Sequence, residues 1–426
     1  MAEWRTMTLR DAGVTLIDCV HKTPPETKEG YPYVAIPQMK DGRIDFRSAR
    51  RISRNDFIEW TKKARPQKYD VVLSRRTNPG VTATFGDNTE FALGQNLVLL
   101  RANGQFVRPN FLRWLVVSPA WWAQIEKYIN VGAVFDSLRC GDVPRFELPI
   151  PPVSEQAAIA DLLNSLADKI DINRQMNETL ESMAQAIFKE WFVDFGPVMA
   201  NEERQELSGN FSNFTDLFPK KLNELGSPYG WQTASLDELA EFLNGLALQK
   251  FPPSGNDDLP VIKIAELRNG ITSNSGKASK EIPSKYIVED GDILFSWSGS
   301  LMHKFWTEGK GALNQHLFKV IPCGYPKWFV YLWIGHHMPE FQAIAASKAT
   351  TMGHIQRQHL SQARVIIPSA PVMAAADSIL SPLIERIIAN ALENRTLASL
   401  RDLLLPKLMS GELRIRAAEK VVASAL

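Results

Sequence analysis

PIPPVSEQAAIADLLNSLADKIDINRQMNETLESMAQAIFKEWFVDFGPV, residues 149–198, reads as one long helix entered from a proline-rich turn. From Ser154 to Phe192 it holds neither Gly nor Pro, and Gly196-Pro197 stops it. Ser154 is the expected N-cap, with Glu155 in the first turn, where a carboxylate complements the helix dipole. A heptad frame puts Leu163, Ile170, Asn177, Ala184 and Trp191 at one seam position and Leu166, Asn173, Leu180 and Ile187 at the other.

A second helix of the same kind is expected from about Val372 to Leu408. Its seam holds Leu380, Ile387, Asn394 and Arg401, then Leu383, Asn390, Leu397 and Leu404. Asn173 and Asn177 match Asn390 and Asn394 at one offset, 390 − 173 = 217. Polar seam residues cost stability and fix register. These four asparagines are therefore expected to set the register of an antiparallel coiled coil, meeting near its crossing point.

The repeat extends beyond the helices. PYVAIPQMKDGRI (32–44) falls on PVIKIAELRNGIT (260–272), and YDVVLSRRTNPG (69–80) on GDILFSWSGSLM (291–302). LGQNLVLL (93–100) falls on LNQHLFKV (313–320), LPIPP (148–152) on IPSAP (367–371), and Trp4 and Leu9 on Trp231 and Leu236. Colinear matches at a slowly drifting offset mean duplication. Runs such as DVVLS and DILFS, each followed by turn residues, read as strands. The expected fold class is α+β: two pseudo-repeated α/β domains joined by two long helices that form an antiparallel coiled coil.

Charge is segregated along the chain. The total is 48 − 47 = +1, but Lys40 to Arg113 carries fifteen basic and seven acidic residues, +8. Ser154 to Glu206 carries four basic and eleven acidic residues, −7. The first block suits phosphates and the second suits a protein partner. Cys19, Cys140 and Cys323 lie far apart, without zinc or disulfide spacing, which fits a reducing compartment. The start, MAEWRTMTLR, has no apolar signal core, and no run of 18 apolar residues occurs. A cytoplasmic location without membrane attachment is expected.

The quoted helix resembles the central conserved region of specificity subunits of type I restriction–modification systems. The resemblance rests on P-P-x-x-E-Q, D-K-I, N-x-T-L-E and F-K-x-W-F-V-D-F, and LPKLMSGELRI is similar to the distal conserved region of that family. The second copy departs from the pattern, with Val372, Met373 and Ala374 after IPSAP where the first copy carries E-Q.

The resemblance implies a target recognition domain at 1–152, a central helix at 153–195 and a linker at 196–230. A second recognition domain at 231–370, a distal helix at 371–411 and a tail at 412–426 complete the chain. It further implies that each recognition domain reads one half of a bipartite, asymmetric site in double-stranded DNA. The helices act as spacer and dock two methyltransferase (modification) subunits, and the assembly recruits restriction subunits. S-adenosylmethionine, ATP and Mg are then expected on those partners, with no cofactor, metal or catalytic residue on this chain. The alternative is a coiled-coil interaction scaffold that does not read DNA.

Arginine suits guanine, and asparagine or glutamine suits adenine. In the first copy, Arg75, Arg76 and Asn78 follow a strand and are expected to read bases, with Lys62, Lys63 and Arg65 on phosphates. In the second copy the comparable loop offers Ser298, Ser300, His303 and Lys304. A further loop offers Lys348, Thr350, Thr351, His354 and Gln356, with its first-copy equivalent running through Asn130, Ser137 and Arg139. Gln95 and Gln315 recur in both copies and are expected to bond the shared scaffold. Trp121, Trp122 and Trp328 are expected to pack in cores. No G-x-G-x-x-G, phosphate loop, H-E-x-x-H or G-x-S-x-G occurs.

Overall fold

The computed structural model describes residues 4–86, 89–132, 135–203, 212–255, 257–347 and 353–425. Two compact units emerge, one of residues 1–168 with 397–426 and the other of residues 169–396. Both unit boundaries fall inside the long helices, where the sequence reading placed domain boundaries at their ends.

In the first unit the main sheet is antiparallel, in the order Val14–Asp18, Leu97–Ala102, Val71–Ser74, Thr82–Ala83. Val71–Ser74 is buried along its whole length, so it reads as an unbroken apolar run without alternation. A smaller sheet sets Tyr31–Val34 antiparallel to Arg50–Ile52 and parallel to Ala92–Leu93. Arg5–Thr8 pairs with Glu147–Ile150. Between Met39–Lys40 and Arg43–Ile44, Asp41 and Gly42 take φ of 49° and 73°, the left-handed pair that a tight hairpin needs.

The second unit repeats this plan. Its main sheet runs Ala240–Asn244, Leu317–Pro322, Ile293–Ser296, Met302–Phe305. Leu259–Ile262 lies parallel to Gly311–Leu313, as Tyr31–Val34 does to Ala92–Leu93. The registers agree residue by residue. Val98 faces Asp18 as Phe318 faces Asn244, and Leu97 faces Ser74 as Leu317 faces Ser296. One alignment needs correction. Arg5 faces Ile150 and Gln232 faces Ile367, so Ile150, not Leu148, is the counterpart of Ile367. The proline pattern had slipped the match by two residues. With the register restored the offset is 217, the same as for the asparagines.

The central helix runs Val153–Phe188 and closes in a π turn, Lys189–Val193. It starts one residue before Ser154, so Ser154 is not the cap; the Pro152 carbonyl accepts from Gln156 N at 3.0 Å. Gln156, fully buried, accepts from Arg108 N at 2.8 Å and donates to the Phe106 and Pro151 carbonyls at 2.6 and 2.7 Å. At the other end Phe195 takes φ of 57°, and Gly196 opens the next helix, Gly196–Glu203. A Cβ on Gly196 would lie 1.8 Å from Glu190 Oε1. The distal helix runs Ala370–Met409.

Within the second unit the two helices run antiparallel. Asn173 donates to Asn394 Oδ1 at 3.0 Å and to Glu393 Oε2 at 2.7 Å. Asn390 donates to Asn177 Oδ1 at 2.8 Å, and Asn177 donates to the Ile387 carbonyl at 3.0 Å. Asn173 and Asn390 are buried, and the Oδ1 of each meets no donor among the described residues. Below them Trp191 and Phe192 enter the core of this unit with Trp328, Phe329 and Trp333.

Candidate nucleic-acid interface

The strand Val71–Ser74 hands the chain to the loop that carries Arg75, Arg76 and Asn78. The loop is shaped from inside. Ser74 Oγ donates to the Arg76 carbonyl at 3.0 Å, and Trp121 Nε1 donates to the Gly80 carbonyl at 3.0 Å. Thr77 takes φ of 63° and Gly80 of 92°. A second loop meets it: Arg76 bridges to Ser137, and Leu138 N donates to the Arg75 carbonyl at 2.9 Å. Asn130 and Ser137 exchange two backbone bonds, at 2.8 and 3.0 Å. Arg76 and Asn78 are exposed here. Arg75 is not; its side chain is 14% exposed, with Nη2 4.0 Å from Asp18 Oδ1 and Nη1 donating to the Leu138 carbonyl at 3.5 Å. Sequence alone gave the two arginines one role, and burial separates them. Arg139 is exposed on the second loop.

The second unit joins its loops in the same way with different residues. Ser298 bridges to His354, and Ile355 N donates to the Trp297 carbonyl at 3.0 Å. Gly299 N also donates to the Gly353 carbonyl at 2.8 Å. Ser300 and Gln356 are exposed, and Lys304 is exposed on the strand Met302–Phe305. Beside the loops, a cavity of about 390 Å³ is lined by Gly299, Ser300, Leu301, Gln342 and Gly353. Lys348, Thr350 and Thr351 lie outside the described residues.

Two expected readers in this unit are turned inward, which corrects their sequence-based assignment. Ser298 is 3% exposed and its hydroxyl sits 3.1 Å from His316 Nδ1. His303 lies within the strand, not on a loop, its ring 4.4 Å from that of Tyr331. Burial pushes its pKa from 6.5 down to about 4. The sign follows: the unfolded chain takes up the proton near pH 6.5 and the folded unit resists until near 4. Stability should therefore fall as pH drops through that window. His303→Leu should flatten this part of a urea-midpoint against pH curve.

The basic block divides into working and structural parts. Lys62 and Lys63 are exposed after the helix Arg54–Thr61, Lys62 pairing with Glu59. Arg65, 68% exposed, lies 2.9 Å from Glu90, a pair of small energetic weight that phosphate can displace. Arg101 is structural: it grips the buried Asp70 through two bonds of 2.8 and 2.7 Å. Asp292, the repeat partner of Asp70, holds Lys319 at 2.7 Å.

Other expectations sort as follows. Trp121 and Trp328 are buried, and Trp328 Nε1 donates to Asp377 at 2.8 Å; Trp122 is 39% exposed. Among the described residues, the glutamine amides show no bond to the scaffold of the kind expected. Gln95 is exposed, and Gln315 Oε1 is buried without a partner among the described residues. What recurs is the backbone turn, Leu97 N to the Gly94 carbonyl and Leu317 N to the Asn314 carbonyl.

Asp18, Cys19 and His21 offer ligand atoms within 4.8 Å of one another. Their hydrogen bonds are met internally. Cys19 donates to the Gly94 carbonyl at 3.2 Å, and His21 sits 3.0 Å from the Gln95 carbonyl and 2.9 Å from Asp18. Burial pushes the Cys19 thiol up to about 11, away from the thiolate a metal needs. Among the described residues no helix is long and apolar enough to cross a membrane.

A family model described as the type I restriction modification DNA specificity domain matches residues 1–182 and 228–400. The chain is 26% identical over 407 residues to the type I restriction enzyme HindI specificity subunit of Haemophilus influenzae, covering 82% of this chain and 87% of that one. It is 27% identical over 305 residues to the type I restriction enzyme MjaIX specificity subunit of Methanocaldococcus jannaschii, covering 68% and 66%. In fold it is similar to a solved S subunit of a type I restriction–modification system from M. genitalium, with a TM-score of 0.54 at 15% identity over 95% of this chain and 96% of that one.

Proposed function

The chain belongs to the type I restriction–modification DNA specificity family, and from that premise we propose that it reads a bipartite, asymmetric site in double-stranded DNA for partner subunits that do the chemistry. One observation carries this reading. Each unit joins two loops by the same bridge, Arg76 to Ser137 and Ser298 to His354, on equivalent strands but with different side chains. A duplicated scaffold with divergent loops is what two unlike half-sites require. Arg76 and Asn78 read bases in one half, and Lys62, Lys63 and Arg65 bind phosphates. In the other half the readers are Ser300, Lys304, His354 and Gln356 with the loop residues Lys348, Thr350 and Thr351.

The acidic central helix suits protein docking, since it repels phosphate. We assign it, with the distal helix, to two methyltransferase subunits, through which restriction subunits join. S-adenosylmethionine, ATP and Mg belong to those partners, and this chain contributes no catalytic group. Base-resolution mapping of methylated adenines in the native host, with and without this gene, tests the proposal. Loss of one bipartite motif is the expected result, and exchange of residues 1–152 for a homologous segment should change one half only. Unchanged methylation, with DNA affinity flat in log salt, would leave the scaffold reading.

A further inference from the structure

The units put different chemistry at one backbone position. Arg75 and Trp297 each follow the last residue of an equivalent strand, Ser74 and Ser296. Each gives its carbonyl to the second loop of its own unit, to Leu138 N and Ile355 N. Each side chain then turns back to the first strand of its sheet. There Asp18 and Asn244 hold equivalent places, opposite Val98 and Phe318. Arg75 Nη2 lies 4.0 Å from Asp18 Oδ1, and Trp297 Nε1 donates to Asn244 Oδ1 at 3.0 Å. A charged donor faces a charged acceptor in one unit, and a neutral donor faces a neutral acceptor in the other.

That matching separates both residues from the readers. A base reader answers to DNA and has no need to agree with a neighbour behind it. These two agree with theirs, and the strand partner differs in step. Arg75 is mostly buried, its side chain 14% exposed, and Trp297 is half-buried. Arg75 spends a second nitrogen on the Leu138 carbonyl, and the Trp297 ring packs 6.0 Å from Phe318 and 5.9 Å from His316.

Resting on the DNA-reading function proposed above, we infer that Arg75 and Trp297 are positioning residues: through Asp18 and Asn244 each fixes a reading loop and its bridge to the second loop. Neither contacts a base. A loop released from its anchor loses aim at every base it serves, whereas a lost reader affects one base pair.

The test is competition binding of the full chain, with its methyltransferase partners, to duplexes carrying each single-base change of the mapped motif. Trp297→Phe keeps an aromatic ring while removing the pyrrole edge that carries the N–H, and should reduce match-to-mismatch ratios several-fold at all positions of one half-site together, sparing the other. Arg75→Met should do the same in the opposite half, and Arg75→Lys should restore much of it. Arg76→Ala, for contrast, should relax a single base pair. The inference is overturned if Arg75→Met relaxes one base pair only, or if Trp297→Phe leaves both halves unchanged. A wild-type chain that prefers no bipartite motif would instead overturn the functional reading itself.

Discussion

Asn173→Leu alone should destabilise the second unit by about 1–3 kcal/mol, while leucine at Asn173, Asn177, Asn390 and Asn394 together should raise its thermal midpoint. The opposite signs follow from what each change leaves behind. The single change strips Asn394 Oδ1 of its donor and leaves Glu393 with Lys169, 3.4 Å away at the helix surface. Asn394 is half-buried in the seam, and an acceptor left there without its donor is costly. The fourfold change removes donors and acceptors together, including the Asn173 and Asn390 oxygens that already face no donor among the described residues. Leucine on both helices then packs as an ordinary seam.

Stability is not what the asparagines contribute, on this account. An all-leucine seam tolerates neighbouring registers, whereas a bond from Asn173 to Asn394 and another from Asn390 to Asn177 are both met in one register only. The fourfold variant should therefore melt higher and bind half-sites at altered spacings with less discrimination. Circular dichroism melts and a spacer-length series measure the two effects. A large drop in midpoint for the fourfold variant would refute the register account.

The sequence carried the repeat because the repeat is backbone chemistry. Asp70 and Asp292 recur since each closes a turn and holds a cation from the neighbouring strand. Strand pairing then gives the repeat its register, which PIPP against IIPSAP could not, because proline spacing tolerates slippage that a ladder does not. The loops were legible as loops and not as sites. Arg75 and Arg76 are adjacent and chemically identical, and only the loop's bend over Leu138 buries one and exposes the other. His303 was misplaced for a similar reason: the strand Met302–Phe305 begins inside a stretch that reads as turn residues, and its inner face is set by the helix Lys327–Ser347 packed on it. The anchor pair of Asp18 and Asn244 was legible only in hindsight. It shows once Val14–Asp18 and Ala240–Asn244 are superposed by their partners on the central strand.

Trp121→Ala should remove about 3–5 kcal/mol from the first unit and with it most of the discrimination at one half-site. Trp121 is fully buried, packs 5.2 Å from Phe146 at an interplanar angle of 63°, and holds the Gly80 carbonyl at the far end of the reading loop. Two terms are then confounded, cavity and hydrogen bond, and Trp121→Phe shrinks the first while still removing the second. Phenylalanine keeps a buried aromatic ring but lacks the pyrrole edge with its N–H, so its cost should be smaller than alanine's, about 1–3 kcal/mol. If the bond to Gly80 shapes the loop, the phenylalanine variant should lose half-site discrimination out of proportion to its small stability loss. Gly80→Ala approaches the same turn from the other side. Its φ of 92° disfavours any side chain, and a Cβ there would lie 2.7 Å from Ile125 Cγ1. It too should impair reading at that half-site. Discrimination at the other half-site should stay at the wild-type level in all three variants, because its loop rests on Asn244, Trp297 and the Gly299–Gly353 bond, none of which involves Trp121 or Gly80. Equal loss at both halves would mean that the tryptophan supports the chain as a whole and not one reading loop.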